Sequence, residues 1–468
     1  MSFTLEKGGN SSKFFIEQKA NVTGRWDPFY YRPELVALEN RVRKVTNRTL
    51  RAFVLKMAGG ATPSTSEAET HYTDEADGIP FIRVQNLSTT GTLNLEDIKR
   101  ITRVTHESLL RRSRLSGGEL LVKITGVGRM AVASVIPDDF EANINQHIVA
   151  IRTRDKLTSE TLAAYLNLDL AEGLASRRST GGTRPALDYP ALLSIPVIFD
   201  ERIPKLMNAA VRLFQERSKQ ARALLATLDN VLLDELGIPR QPEPPNTLAS
   251  RMFQRRLRGM TGSRWDPIAN QDRRRRLEAA IQAANCPVVP LRKLIVVSKD
   301  LFSEMPDGEP YLGLENIDGT TGDFIPTKEK ESVGTAAKFI SGQILFPKLR
   351  PYLNKTYLAA FSGVCSTEFH VFSPIGVSAD YLTAFLRSRA IVGITSMLMT
   401  GNTLPRLQMN DIERLLIPVP SSIKQKRICD RINEIRSQAR VLREQARLDL
   451  EAAKGEIEAL ILGKEPAK

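Results

Sequence analysis

Six short stretches of this chain occur twice, in the same order, about 220–240 residues apart. Thr23-Gly24-Arg25-Trp26-Asp27-Pro28 returns as Thr261-Gly262-Ser263-Arg264-Trp265-Asp266-Pro267, and these hold the only two tryptophans. A leucine in a helical pattern, Leu38 or Leu277, lies twelve residues after each tryptophan. The strand Phe81–Leu87 matches Tyr311–Ile317, each with an asparagine near its end and a Thr-Gly turn beyond (Thr90-Gly91; Thr321-Gly322). Leu115–Lys123 matches Ile340–Lys348, each a glycine turn into an apolar strand ending in lysine. Thr180-Gly181-Gly182-Thr183 resembles Thr400-Gly401-Asn402-Thr403, and Leu193–Val197 matches Leu415–Val419. One shared tetrapeptide could be chance, but six collinear matches mean a tandem duplication of one large unit rather than a short-period solenoid.

Each copy ends in a long amphipathic stretch. From Glu201 to Gly237, steps of four and three give Ile203, Met207, Ala210, Phe214, Arg217, Ala221, Leu224, Leu228 and Val231. From Ser421 to Gly463 the same alternation gives Ile428, Ile432, Ile435, Ala439, Leu442, Ala446 and Ala453. Two such seams predict two helices packed along each other. Gly237 and the prolines from Pro239 to Pro245 stop the first. A helix of about 35 residues is about 50 Å long, and following the same globule twice, the pair should run antiparallel. The expected fold is therefore α+β: two tandem mixed α/β domains joined by two long antiparallel coiled-coil helices with pseudo-twofold symmetry. The expected boundaries are an extension over 1–22, a domain over 23–199, a helix over 200–238, a linker over 239–260, a second domain over 261–420 and a second helix over 421–463.

The net charge of +13 and pI of about 9.6 favour a polyanionic partner, most often nucleic acid. No apolar run nears the ~20 residues of a membrane span, and the first residues lack the apolar core of a signal peptide, so a cytoplasmic protein away from membranes is expected. Cys286, Cys365 and Cys429 are odd in number and far apart, indicating neither disulfides nor a metal cluster.

Catalytic signatures are sparse. There is no GxxxxGK[ST] loop for ATP and no Asn/Asp-Pro-Pro-Tyr/Phe site for amino methylation. Gly126-Val127-Gly128 is a lone GxG, Glu17-Gln18-Lys19 lacks an upstream Pro-Asp, and His71, His106, His147 and His370 are isolated. No catalytic residue and no metal ligand is assigned, and the chain reads as a binder. Loop-borne cations suit phosphates and guanine edges. The recurring pairs Lys123/Lys348 and Arg184/Arg406, with Arg129, Arg178, Arg350 and Lys355, are the candidate DNA contacts. Trp26 and Trp265 have two readings, stacking platforms for bases and, favoured because each precedes Asp-Pro, packed indoles at a helix start with the Asp as cap and the Pro in the first turn.

Gly342-Gln343-Ile344-Leu345-Phe346-Pro347-Lys348-Leu349-Arg350-Pro351-Tyr352-Leu353-Asn354-Lys355, with Cys365-Ser366-Thr367-Glu368-Phe369 and the passage from Thr400 to Pro420, resembles the specificity subunit of type I restriction–modification enzymes. The two Arg-Trp-Asp-Pro motifs are similar to the family's Arg-x-Asp-Pro opening. The first copy departs from the pattern at Val122-Lys123-Ile124-Thr125-Gly126 and at Ala142–Gln146. The resemblance implies two target-recognition domains, each reading half of a bipartite site on double-stranded DNA, and helices that fix the spacing. It implies no catalysis and no cofactor in this chain. Two methyltransferase subunits would bind S-adenosylmethionine, and, for restriction, translocase subunits would use ATP and Mg. Two other readings stay open: the specificity component of a related phage-defence assembly, and a coiled-coil scaffold that binds proteins.

Overall fold

The computed structural model describes residues 25–463 apart from 244–246, 248–251, 255–264, 299, 303–309, 327–334 and 402. The expected extension over 1–22, the first residues of both repeats and most of the linker, with every arginine between 251 and 258, lie outside the described residues. The chain divides into two units, residues 1–216 with 445–468, and residues 217–444.

The first unit contains two four-stranded sheets. One is antiparallel and orders Lys56–Gly59, Ile148–Arg152, Leu120–Lys123 and Ala133–Val135. The other orders Tyr72–Thr73, Lys99–Ile101, Ile79–Ile82 and Asn143–Ile144, the last pair parallel. Strand alternation explains the unbroken apolar run at Leu120–Val122. Leu120 and Val122 join the cluster under the helices, while Leu121 joins Ile82, Ile144 and Ile148 in a second cluster.

The second unit repeats the plan. Its antiparallel sheet orders Ile295–Ser298, Phe369–Pro374, Ile344–Pro347 and Tyr357–Leu358, the same topology as the first. Ile344 and Phe346 face one cluster, and Leu345 the other. The other sheet orders Leu301–Phe302, Ala336–Phe339, Gly363–Ser366 and Tyr311–Leu312. Here the copies differ. In the first unit the hairpin strand Lys99–Ile101 pairs with Ile79–Ile82, the strand that matches Tyr311–Leu312. In the second unit the hairpin strand Ala336–Phe339 pairs instead with Gly363–Ser366, and Tyr311–Leu312 moves to the edge. A short pair, Val288–Pro290 with Leu416–Pro418, completes this unit.

Several repeated residues have a shared structural purpose. The Asn86 side chain accepts from the Arg83 N–H and donates to the Asn94 carbonyl, and Asn316 does the same with Gly313 and Ile325. Leu38 and Leu277 lie against glycines: a Cβ on Gly173 would come 2.6 Å from Leu38, and one on Gly393 would come 3.1 Å from Leu277. Those glycines sit in the helices Asp169–Arg178 and Arg389–Leu398.

The first long helix runs Arg202–Ala226 and, after Thr227, Leu228–Leu236. The interruption is a tight turn at Thr227, whose N–H and hydroxyl both donate to the Leu224 carbonyl. Gly237, at φ 69°, ends the helix, and the Ile238 N–H returns to the Leu233 carbonyl. The last helix is continuous over Ser422–Ile461. Within the first unit Ile203, Met207 and Val211 share a cluster with Leu450, Ile457 and Ile461, with Phe214 packed on it. Within the second, Leu232 and Leu236 cluster with Ile428 and Ile432, and Ala221 and Leu225 with Ala439, flanked by Leu224, Leu228 and Leu442. The pairing is antiparallel, as the first helix ascends while the second descends. Ile435 is half-buried.

Each unit also receives a carboxylate from a long helix. Glu458 accepts from the Leu170 N–H at 2.8 Å, and Asp229 accepts from the Arg389 N–H at 3.0 Å. Both sit at helix N-termini, where unpaired N–H groups favour negative charge. Burial nevertheless pushes both carboxyls above their ordinary range. No described helix is long and apolar enough to cross a membrane.

Candidate nucleic-acid interface

In each unit the chain leaving the lysine strand runs into a loop laced to the one that begins at Thr180 or Thr400. In the second unit Lys348 bonds through its N–H to the Glu368 carbonyl and receives the Leu407 N–H. Arg350 then donates its N–H to Pro405, and Thr400 pairs with Arg406 in both directions. Arg350 and Asn354 adopt left-handed backbone, at φ 48° and 52°, bracketing the turn Pro351–Leu353. In the first unit Leu187 donates to Ile124, Gly126 to Pro185, and Thr180 pairs with Ala186 in both directions. Gly181 and Gly401 take up matching positive φ of 94° and 98°, which other residues adopt only with strain.

The structure separates the candidate cations into two groups. Lys123 is buried, and its ammonium donates to the carbonyls of Val127 at 2.8 Å and Arg129 at 2.9 Å. Arg129 binds the Asn167 and Leu168 carbonyls and Asp169. Arg178 is buried on Glu39, the Leu174 carbonyl and Ser194 Oγ. Lys348 donates to the Thr367 carbonyl at 2.7 Å, and Lys355 to that of Ile317. Burial pulls the ammonium pKa of both Lys123 and Lys348 down. These five heads tie loops to the body of their unit.

The remaining three are exposed: Arg184, Arg350 and Arg406. Arg406 forms a two-pronged contact with Glu368, at 2.6 and 3.0 Å, on the surface. Beside these cations stand exposed Val127 in the first unit, and Tyr352 and Leu404 in the second.

The tryptophans depart from expectation. Trp26 is 85% and Trp265 67% exposed, so neither indole is packed. The capping holds without them: Asp27 accepts from the Phe29 N–H and Asp266 from that of Ala269. Arg25 donates to the carbonyls of Arg178 and Ser179, which fastens Trp26 beside the start of the Thr180 loop. Residue type alone suggested burial, and the hydrogen bonds that make the indole dispensable for packing span some 150 positions.

His370 lies next to this site with a buried Nε2 that has no hydrogen-bond partner. Burial, helped by Lys348, pulls its pKa down from 6.5 to about 4. The unfolded chain takes up that proton first. Stability of the second unit is therefore expected to fall as pH drops from 6.5 toward 4, by about 3 kcal/mol, and to be unaffected by this group above that window. Denaturant titrations of wild type and His370→Gln across the window test this; parallel losses in both proteins would rule His370 out.

Fold and loops together define a duplicated α/β protein with long antiparallel helices and paired, partly basic surface loops. No protein-family model matches the chain. A stretch of 115 residues is 29% identical to the Type I restriction enzyme EcoDI specificity subunit of Escherichia coli, covering 24% of this chain and 25% of that relative. The chain thus matches about a quarter of that relative's length. Similar solved structures include a chain of a type I R-M system (14% identity, TM-score 0.42, covering 89% of this chain and 95% of that one). A second is the type I S subunit from M. genitalium (12%, TM-score 0.36, covering 89% and 94%). A third is the HsdS subunit from Thermoanaerobacter tengcongensis (14%, TM-score 0.30, covering 89% and 94%). What this chain resembles is the specificity subunit of type I restriction enzymes.

Proposed function

We propose that this chain is a non-catalytic specificity subunit of a type I restriction–modification complex. Residues 23–199 and 261–420 each read one half of a bipartite duplex site. The helices over 200–238 and 421–463 set the gap between the halves and dock methyltransferase subunits. The observation that carries the reading is the twice-built loop pair, with an exposed arginine, Arg184 or Arg406, beside Thr180-Gly181 and Thr400-Gly401. Exposed guanidinium groups on laced loops are placed to meet phosphates and base edges.

Deleting the gene and mapping adenine methylation by single-molecule sequencing of the source genome is expected to erase one motif with a fixed internal gap. Loss of no motif, together with salt-independent binding to duplex DNA, would instead favour the protein-binding scaffold, because phosphate contacts make affinity fall steeply with salt. Lengthening both helices by seven residues, about 10 Å, should widen the gap by about three base pairs. An unchanged gap would sink the ruler.

The two groups of cations should separate by experiment. Arg184→Ala and Arg350→Ala are expected to weaken duplex binding about tenfold and leave the melting temperature within about 1 °C. Lys123→Ala should lower the melting temperature by several degrees, since it strips two carbonyls of a charged donor. A melting shift from Arg184→Ala as large as that from Lys123→Ala would contradict the division.

A further inference from the structure

Within the second unit a cavity of about 310 Å³ is lined by Arg222, Asp229, Asn354, Arg387, Arg389 and Arg436, among others. Among the described residues that line it, Asp229 is the one carboxylate. Asp229 is engaged by Arg389, through a contact of 3.1 Å and the backbone N–H. Arg387 is 7% exposed and spreads its charge over the carbonyls of Asn354, Thr356 and Gly319. Arg436 has no hydrogen-bond or ion-pair partner among the described residues, and its Nε is buried. Asp323 and Asp380 attract it only at longer range, and Asp323 is held by Arg440 at 2.8 Å. Burial pulls the Arg436 pKa down, the sign of a guanidinium short of compensation. Asn354 is another lining residue, and its Oδ1 is buried without a donor.

An uncompensated guanidinium in such a place costs free energy unless an anion or water meets it. Arginine's planar fork matches phosphate oxygens, and charge-assisted bonds of this kind are about twice as strong as neutral ones. The first unit has a cavity of about 280 Å³ beside Thr90 and Gly91, but it is walled by Leu93, Leu95, Ala163 and Met207 and holds no arginine. The arginine cluster therefore does not come from the shared plan of the two copies.

We propose that the arginine cavity of the second unit is a binding site for a phosphoryl group, with Arg436 as its principal contact and Arg389 at its side. The group is either a free phosphate-bearing molecule or a phosphate of the duplex backbone.

The test is calorimetric titration of the full chain, with any subunits that co-purify, using inorganic phosphate and pyrophosphate in low-chloride buffer. Saturable binding is expected. Arg436→Met should weaken it at least tenfold, and Asp229→Asn, which keeps an acceptor for the Arg389 N–H, should tighten it severalfold. Arg292→Met, away from the cavity, is the control and should bind as wild type. If Arg436→Met fails to fold by circular dichroism, Arg389→Met, at an exposed position, should still weaken binding severalfold. A second arm adds pyrophosphate to a preformed complex with a short duplex. Displacement of the duplex marks the backbone as the source, and undisturbed binding marks a free ligand. Absence of saturable binding to wild type, or wild-type affinity in the folded arginine variants, overturns the site.

Discussion

Replacing Glu39 with alanine is expected to destabilise the first unit by about 3–5 kcal/mol, because it would strand two buried guanidinium groups. Glu39 sits in the helix Pro33–Arg43 with its carboxylate between Arg177 and Arg178 of the helix Asp169–Arg178. Arg178 approaches one oxygen at 2.6 Å, and Arg177 takes the other while donating to the Tyr30 carbonyl at 2.8 Å. Arg177 also lies over the Tyr30 ring, 4.2 Å from its centre. All three side chains are at most 11% exposed. Burial works to raise the Glu39 pKa, but Arg178 and then Arg177 outweigh it, so the carboxyl is held below its ordinary 4.5. Its stabilisation is thus complete above the unfolded value and is lost as pH falls below it. Chemical denaturation at pH 7 measures the main effect. A loss under about 1 kcal/mol would mean that water reaches the arginines, and Glu39→Gln should fall between wild type and Glu39→Ala.

Arg387→Met is expected to cost the second unit about 3 kcal/mol, since one buried and two part-buried carbonyls lose their donor together. This arginine stands thirteen residues before the Thr-Gly of its copy, as Asn167 does in the first. Asn167 does a shorter-range version of the same job, accepting from the Ala133 N–H and donating to its carbonyl. Burial brings the Arg387 pKa down to about 10, so it remains a cation at neutral pH. Because two of its acceptors, Asn354 and Thr356, end the loop that carries Arg350, the variant should also weaken duplex binding. Unfolding curves and salt titrations read the two effects separately, and a stability loss below about 1 kcal/mol would show that the loop holds without it.

The duplication, the strands and the long helices were legible because they rest on period and order. The seam is less legible. A strict alternation of four and three follows a supercoiled helix, whereas a straight helix drifts about 20° per heptad. Val211, Leu225 and Leu232 are consequently buried where the alternation selects Ala210, Leu224 and Val231, and Leu450 and Ile457 where it selects Ala453. The cations are the least legible. Lysine and arginine look alike in sequence whether they face solvent or hold loop carbonyls, and only the fold shows that Lys123 and Arg178 face inward. The burial of Glu39 had no sequence signal, as its partners lie about 140 positions away.

The bond from Leu170 to Glu458 joins positions 288 apart, and the same stretch supplies Leu450, Ile457 and Ile461 to the first unit's main cluster. On the ribosome, where domains ordinarily fold in order of emergence, the amino-terminal unit must wait with that apolar surface uncovered while the whole second unit is synthesised. The second unit, contained in residues 217–444, has no such wait. The first unit to be made is the last to be finished, and a nascent chain halted midway is left exposing the patch its own later residues would have covered.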